Sequence, residues 1–95
     1  MHYVYILYSS SLNKFYVGET VDMALRLQQH KSGFFKGSYT SQVSDWELRL
    51  VIPFSSITKA KKAEFFIKKM NSRAFIERLL IDHKWLIERF EADGA

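Results

Sequence analysis

The chain has 95 residues, 47% hydrophobic and 16% aromatic, which predicts one small domain with its own core and excludes a disordered chain. It has no cysteine, so a disulfide scaffold, a zinc–thiolate site and a thiol nucleophile are excluded together. The formal net charge is +4, and its location says more than its size.

Residues 2–8 are rich in β-formers and predict a first strand. The apolar run Tyr3 to Tyr8 is six residues long, too short to span a membrane. It lacks the basic region and small-residue cleavage site of a signal peptide, so a soluble, cytoplasmic protein is expected. Residues 9–12 read as a turn and 13–19 as a second strand. With 9–12 as the loop, Tyr8 pairs with Asn13 and Tyr5 falls directly opposite Tyr16. Tyr3, Tyr5, Leu7, Tyr16 and Gly18 then share one face, where Gly18 leaves open space beside the phenols.

Thr20 suits the N-cap of a helix over residues 21–31, with Met23, Ala24 and Leu27 facing inward. Arg26 and His30 lie one turn apart on one face of that helix, and Ser32-Gly33 ends it. Residues 34–45 form a polar connection, expected to be the mobile loop. Residues 46–54 predict a third strand, with Trp46, Leu48, Leu50 and Ile52 alternating with Glu47, Arg49 and Val51, and Pro53 stopping it. Ser55 or Ser56 caps a helix over 57–70 whose buried stripe is Ala60, Ala63, Ile67 and Met70. Glu64 borders that stripe while the lysines face out. Asn71 or Ser72 starts a last helix to about residue 90, with Ile76, Leu80, His83 and Ile87 on one face. Residues 91–95 read as a frayed tail. The result is a single α+β domain over residues 1–90, in the order β-β-α-β-α-α. Its expected form is a three-stranded, mostly antiparallel sheet covered by three helices.

Between Thr58 and Lys69 stand five lysines and one acid, Glu64, so the whole net excess of +4 sits in this segment. A local basic stripe attracts phosphates more strongly than a diffuse charge. Lys61, Lys62, Lys68 and Lys69 are the candidate nucleic-acid contacts. The plain alternative is a solvated helix face.

Tyr3-Val4-Tyr5 followed by Tyr16-Val17-Gly18 resembles the paired signature of the GIY-YIG nuclease superfamily. The resemblance continues in order: Gly18-Glu19-Thr20-Val21-Asp22, Leu25-Arg26-Leu27 and His30 are similar to that family's first helix. Ala60 with Glu64 is similar to the helix that carries its metal-binding glutamate. It spans about residues 2–70 and is greatest to the small stand-alone members. The first motif reads Tyr-Val-Tyr where the family has Gly-Ile-Tyr. Leu25 stands where small members often carry an extra arginine, and residues 41–45 lack the basic side chains often found there. Asn71, past Glu64, reads as a helix cap and not as the family's downstream catalytic asparagine.

The resemblance implies a metal-dependent endonuclease that hydrolyses DNA phosphodiesters, in a setting of DNA repair or recombination. DNA is the implied partner, without a membrane and without a small-molecule cofactor. In that reading Tyr5 corresponds to the phenol proposed as general base. Tyr16 helps position the nucleophile and the scissile phosphate, and Arg26 contacts that phosphate. His30 assists Tyr5, and Glu64 holds one divalent cation, Mg2+ or Mn2+.

The residue chemistry is compatible on its own terms. Arg26 offers a planar fork of donors to phosphate oxygens. A carboxylate-held magnesium bridges phosphate and leaving group. A free phenol has a pKa near ~10, so Tyr5 needs a nearby cation or hydrogen bond to lower it before it serves as a base. The ordinary readings are cross-strand packing for Tyr5 and Tyr16, a surface cation for Arg26, a helix-terminal cation for His30, and ion pairing of Glu64 with Lys61 or Lys68. Two alternatives follow: a non-catalytic or weakly active nucleic-acid-binding module of the same fold, and a protein-interaction module that keeps these residues by inheritance.

Overall fold

The computed structural model describes residues 1–33 and 39–92. Residues 34–38, part of the predicted polar connection, lie outside the described residues, as do 93–95 of the predicted tail. The three β-rich runs form β1 (His2–Ser9), β2 (Lys14–Thr20) and β3 (Trp46–Phe54). They pair antiparallel in the order β2-β1-β3. The helices are α1 (Met23–Lys31), α2 (Ile57–Met70), α3 (Arg73–Ile81) and α4 (Lys84–Glu91), with a short 3-10 turn at Tyr39–Gln42. None of the helices among the described residues is long and apolar enough to cross a membrane.

β1 is the central strand, and Val4, Tyr5, Ile6 and Leu7 are all buried because both faces of the sheet are covered. Val4, Ile6, Val17, Ile52 and Phe54 face α2, α3 and α4, whose Ala60, Ala63, Ile67, Leu79, Leu86 and Phe90 complete the larger core. Tyr5, Leu7 and Trp46 point the other way, where Tyr16 and the α1 residues Met23 and Leu27 pack on them. The alternation of β1 thus divides the aromatic hydroxyls from the aliphatic core.

Two details of the sheet differ from the sequence expectation. The hairpin register pairs Tyr5 with Gly18 and Leu7 with Tyr16, not Tyr5 with Tyr16. The cause lies in the turn. Ser9 stays in the ladder opposite Lys14, its Oγ accepts the Leu12 N–H at 3.2 Å, and Asn13 takes a left-handed φ of 53°. A slip of two residues keeps every side chain on its predicted face. The second difference is a bulge. Ile6 faces Leu50 but Leu7 faces Leu48, which leaves Arg49 as the extra residue in β3. The alternation of β3 inverts there, so Trp46 joins the Tyr5 side while Leu50 and Ile52 join the aliphatic core.

The helices start where side chains supply caps. Asp22, not Thr20, caps α1 by accepting the Leu25 N–H at 3.1 Å, because Thr20 is still part of β2. Ser56 caps α2, Asn71 closes it in the left-handed conformation with a φ of 44°, and Ser72 caps α3. The predicted last helix is two helices. Asp82 is extended and His83 opens α4 without a side-chain cap bond, which turns the chain so that α4 packs on α2 and β3. Met70 and Ala24, predicted to be buried, are exposed.

The hairpin turn is tied down. The Asp45 carboxylate accepts from Ser9 Oγ at 2.6 Å and from the Ser11 N–H at 2.9 Å, and these bonds pull its pKa down to about 2. Arg73 donates to the Asn13 carbonyl at 2.8 Å from the other side. Tyr5 and Tyr16 therefore sit on a hairpin anchored by the residue that precedes β3 and by α3.

Candidate active site

Tyr5 is the centre of the α1-side cluster and is almost wholly buried. Its hydroxyl lies 2.8 Å from His30 Nε2. The Tyr16 ring is 6.4 Å from that of Tyr5 and 5.1 Å from the imidazole. His30 is buried at the last turn of α1. Arg26, one turn earlier on the same face, stands against the Tyr5 phenol and donates toward its oxygen. The first helix thus delivers an arginine and a histidine onto one phenol, as its spacing predicts.

Gly18 makes this possible. It is paired with Tyr5, and a Cβ there would collide with Cζ and the hydroxyl of the Tyr5 ring. The space that glycine leaves is filled by the phenol itself, not left open as expected.

Glu64 comes from the other face of the sheet. β2 is an edge strand, and α2 runs beside it, so side chains of α2 reach the same rim that Tyr16 lines. Lys68 marks the passage: its Nζ is 3.0 Å from Glu64 Oε2 and 5.7 Å from the centre of the Tyr16 ring. Glu64 is close enough to Tyr5 for its charge to be felt at the phenol. Lys61 pairs with Glu64 at 3.8 Å. The ordinary ion-pair reading of Glu64 thus holds for both lysines.

Glu19, to which sequence reasoning gave no role, adjoins this rim. Glu19 accepts from Lys61 Nζ at 3.2 Å and from His2 Nδ1 at 2.9 Å, and its side chain is only 6% exposed. Lys61 therefore lies between two carboxylates, Glu19 and Glu64. Strand parity carried the signal: Glu19 shares the face of Val17, which is the face that α2 covers.

The electrostatics of the buried trio are specific. Burial drives the Tyr5 pKa up, the neighbouring Tyr16 adds to the rise, and Arg26 only partly offsets it. The condition that the sequence sets for Tyr5 as a base, a neighbour that lowers its pKa, is therefore not met by Arg26 alone, since desolvation outweighs the one guanidinium. His30 is pushed down to about 4 by burial and then by the Arg26 charge. At neutral pH the phenol is protonated and the imidazole neutral, and with the imidazole proton on Nδ1 Tyr5 donates its hydrogen bond to His30 Nε2.

A stability consequence follows. The folded-state pKa of His30 lies below its ordinary value of 6.5, so the unfolded chain takes up a proton more readily. The stability this contributes is present above pH 6.5 and is lost as the pH falls towards 4. The melting temperature should drop over that window, and His30→Gln should flatten the drop. A wild-type melting temperature constant across the window would contradict the neutral, buried imidazole.

Among the described residues there is no cluster of three or more His, Asp or Glu side chains able to enclose a metal. The donor set at the rim is one accessible carboxylate, Glu64, with Glu19 beyond Lys61. Such a set fits a hard cation that takes its remaining oxygens from phosphate and water, and does not fit a closed structural metal site.

An arginine beside two neighbouring phenols, with a carboxylate at the rim, accords with the sequence comparison. The model of the GIY-YIG catalytic domain matches residues 1–77. The chain belongs to the GIY-YIG family. That domain is of nuclease type, which implies a DNA substrate, and GIY-YIG nucleases in general depend on divalent metal. No curated protein and no solved structure gave a match.

Proposed function

We propose that this GIY-YIG protein is a cytoplasmic, magnesium- or manganese-dependent endonuclease that hydrolyses DNA phosphodiesters, acting as a single domain over residues 1–90. The observation that carries the reading is the contact of the Tyr5 hydroxyl with neutral His30 beside Arg26.

In this mechanism Arg26 draws a non-bridging phosphate oxygen to the rim and neutralises charge as the phosphorus becomes five-coordinate. Tyr16 holds the scissile phosphate and the attacking water against Tyr5. Tyr5 is too weak an acid to wait as phenolate, so it works as a relay. It takes the proton of the attacking water while its own proton passes to His30 Nε2. His30 starts neutral and so has a vacant site for that proton, and a phosphate on Arg26 offsets the charge that opposes its protonation. Glu64 would hold the divalent cation, in exchange for its bonds to Lys61 and Lys68. When bound there, the cation supplies charge neutralisation at the phosphate and at the leaving oxygen. Lys61, Lys62, Lys68 and Lys69 supply the salt-dependent part of DNA binding.

Nicking of supercoiled plasmid tests the assignment. Tyr5→Phe keeps the ring in its slot and removes the relay, so nicking should fall by about 100-fold. Arg26→Ala should lose a similar factor. Binding measured in EDTA should change little in either case, because one phosphate contact is a small part of the total. Unchanged nicking in Tyr5→Phe would overturn the relay. Tight DNA binding without any nicking by the wild-type protein would leave the binding-module reading in its place.

A further inference from the structure

The outward face of α2 carries a side chain that the proposed chemistry does not use. Phe65 is 67% exposed. It lies next to Glu64 in the chain, yet it points away from the core that Ala60, Ala63 and Ile67 fill. On a helix the neighbours of a residue are those three and four positions away. For Phe65 all four of these are lysines: Lys61, Lys62, Lys68 and Lys69. A shallow cavity of about 930 Å3 runs along this face, and Glu64 and Arg89 line it together with Phe65 and its lysines.

We propose that this face is a docking platform for a single-stranded segment of DNA, with one unpaired base stacked on the Phe65 ring and the flanking phosphates on the surrounding lysines. Charge complementarity selects a polyanion: four lysines flank the ring against two carboxylates at the cleavage rim, Glu64, which pairs with Lys61 and Lys68, and Glu19, which pairs with Lys61. The ring selects unpaired bases within that class. In a duplex the base faces are already stacked on one another, so an isolated phenyl ring at the surface finds no π-face to cover. In a single strand every base offers one, and stacking on an aromatic side chain tolerates any sequence. Continuity with the site places the strand. Glu64 lines the same cavity, so a strand whose phosphate lies at Glu64 has its next nucleotides over Phe65. This deepens the proposed function by naming its substrate class, DNA with an unpaired segment beside the cut, and rests on that reading only for the strand's position.

The exposure of Phe65 makes it a clean target, because its replacement removes almost no core packing. Binding is measured in EDTA, so cleavage plays no part, with fluorescein-labelled oligo-dT and a blunt duplex of equal length. Phe65→Ala and Phe65→Leu should weaken oligo-dT binding by about tenfold or more and leave duplex binding unchanged. Phe65→Trp should restore the affinity, and its added fluorescence should be quenched by oligo-dT beyond any change in the wild-type protein. Equal losses on both DNAs, or no loss on either, overturn the platform. So does polyglutamate that competes as well as oligo-dT, which would make the face a general polyanion surface. Concentration-dependent dimerisation that Phe65→Ala abolishes would assign the face to a second copy of the chain, and also overturns the proposal. The two readings fail separately. A wild-type protein that does not nick DNA but needs Phe65 for oligo-dT sinks the nuclease reading alone. One that nicks DNA with Phe65 dispensable for oligo-dT binding sinks the platform alone.

Discussion

Glu64→Gln should cut plasmid nicking by about 100- to 1000-fold and at the same time tighten DNA binding. The two effects have one origin. The glutamine has nearly the shape of the glutamate but lacks the charge that draws a hard cation. It also releases Lys68, held at 3.0 Å, from its carboxylate partner, while Lys61 keeps its closer bond to Glu19 at 3.2 Å. The rim becomes more positive by one charge and gains one ammonium group able to meet phosphates, so affinity should rise and its salt dependence steepen. Glu64 borders the core without entering it, and the helix keeps its Ser56 and Asn71 caps, so folding should be nearly unaffected. Raising magnesium should restore little. A variant that nicks like the wild-type protein would remove Glu64 from the chemistry. One that loses nicking together with binding would show that Glu64 serves only to hold the surface in shape.

Gly18→Ala should damage both stability and cutting, although the glycine donates no chemical group. Its φ is not in the left-handed region, so the backbone tolerates alanine. The obstacle is the Tyr5 ring, whose Cζ and hydroxyl a methyl group would strike. Tyr5 is buried in one cluster with Leu7 and Trp46, so the ring and the strand must shift together with that packing. Overpacking of this kind costs about 1–3 kcal/mol. In a domain of this size that lowers the melting temperature by roughly 5–15 °C. The bond from Tyr5 to His30 lengthens or breaks, and a displacement of about 1 Å is enough to cost 100-fold in rate. The double variant Gly18→Ala with Tyr5→Phe relieves only part of the clash, because Cζ remains. It should therefore recover some stability and no activity. Full activity in Gly18→Ala would show that the phenol's position is unimportant.

The parts of the fold set by local chemistry were legible in the sequence. Strand parity placed Tyr5, Leu7 and Tyr16 on one face, and helical spacing stacked Arg26 and His30. The serines before Ile57 and Arg73 marked where helices begin. The misjudged parts depend on competition that no single residue reports. Ser9 could end the strand or remain in it, and its bonds to Leu12 and to Asp45, far along the chain, decide the register. Nothing around Arg49 announces a bulge, because alternating apolar residues read the same with or without one, yet the bulge sends Trp46 to the Tyr5 side. The pKa of Tyr5 could not be read from its neighbours, because burial decides its sign. The Glu19 bridge was missed because β2 and α2 meet only in three dimensions, where Lys61 joins carboxylates 45 positions apart in the chain.

The central claim is that this rim cuts DNA with a divalent cation at Glu64. The direct measurement is the nicking of supercoiled plasmid by the purified wild-type chain across a magnesium titration, with full EDTA chelation and Glu64→Gln run alongside. The account predicts open-circular product that rises with magnesium, vanishes in EDTA and is absent from the variant. Nicking that survives chelation, or that Glu64→Gln performs equally well, would contradict it.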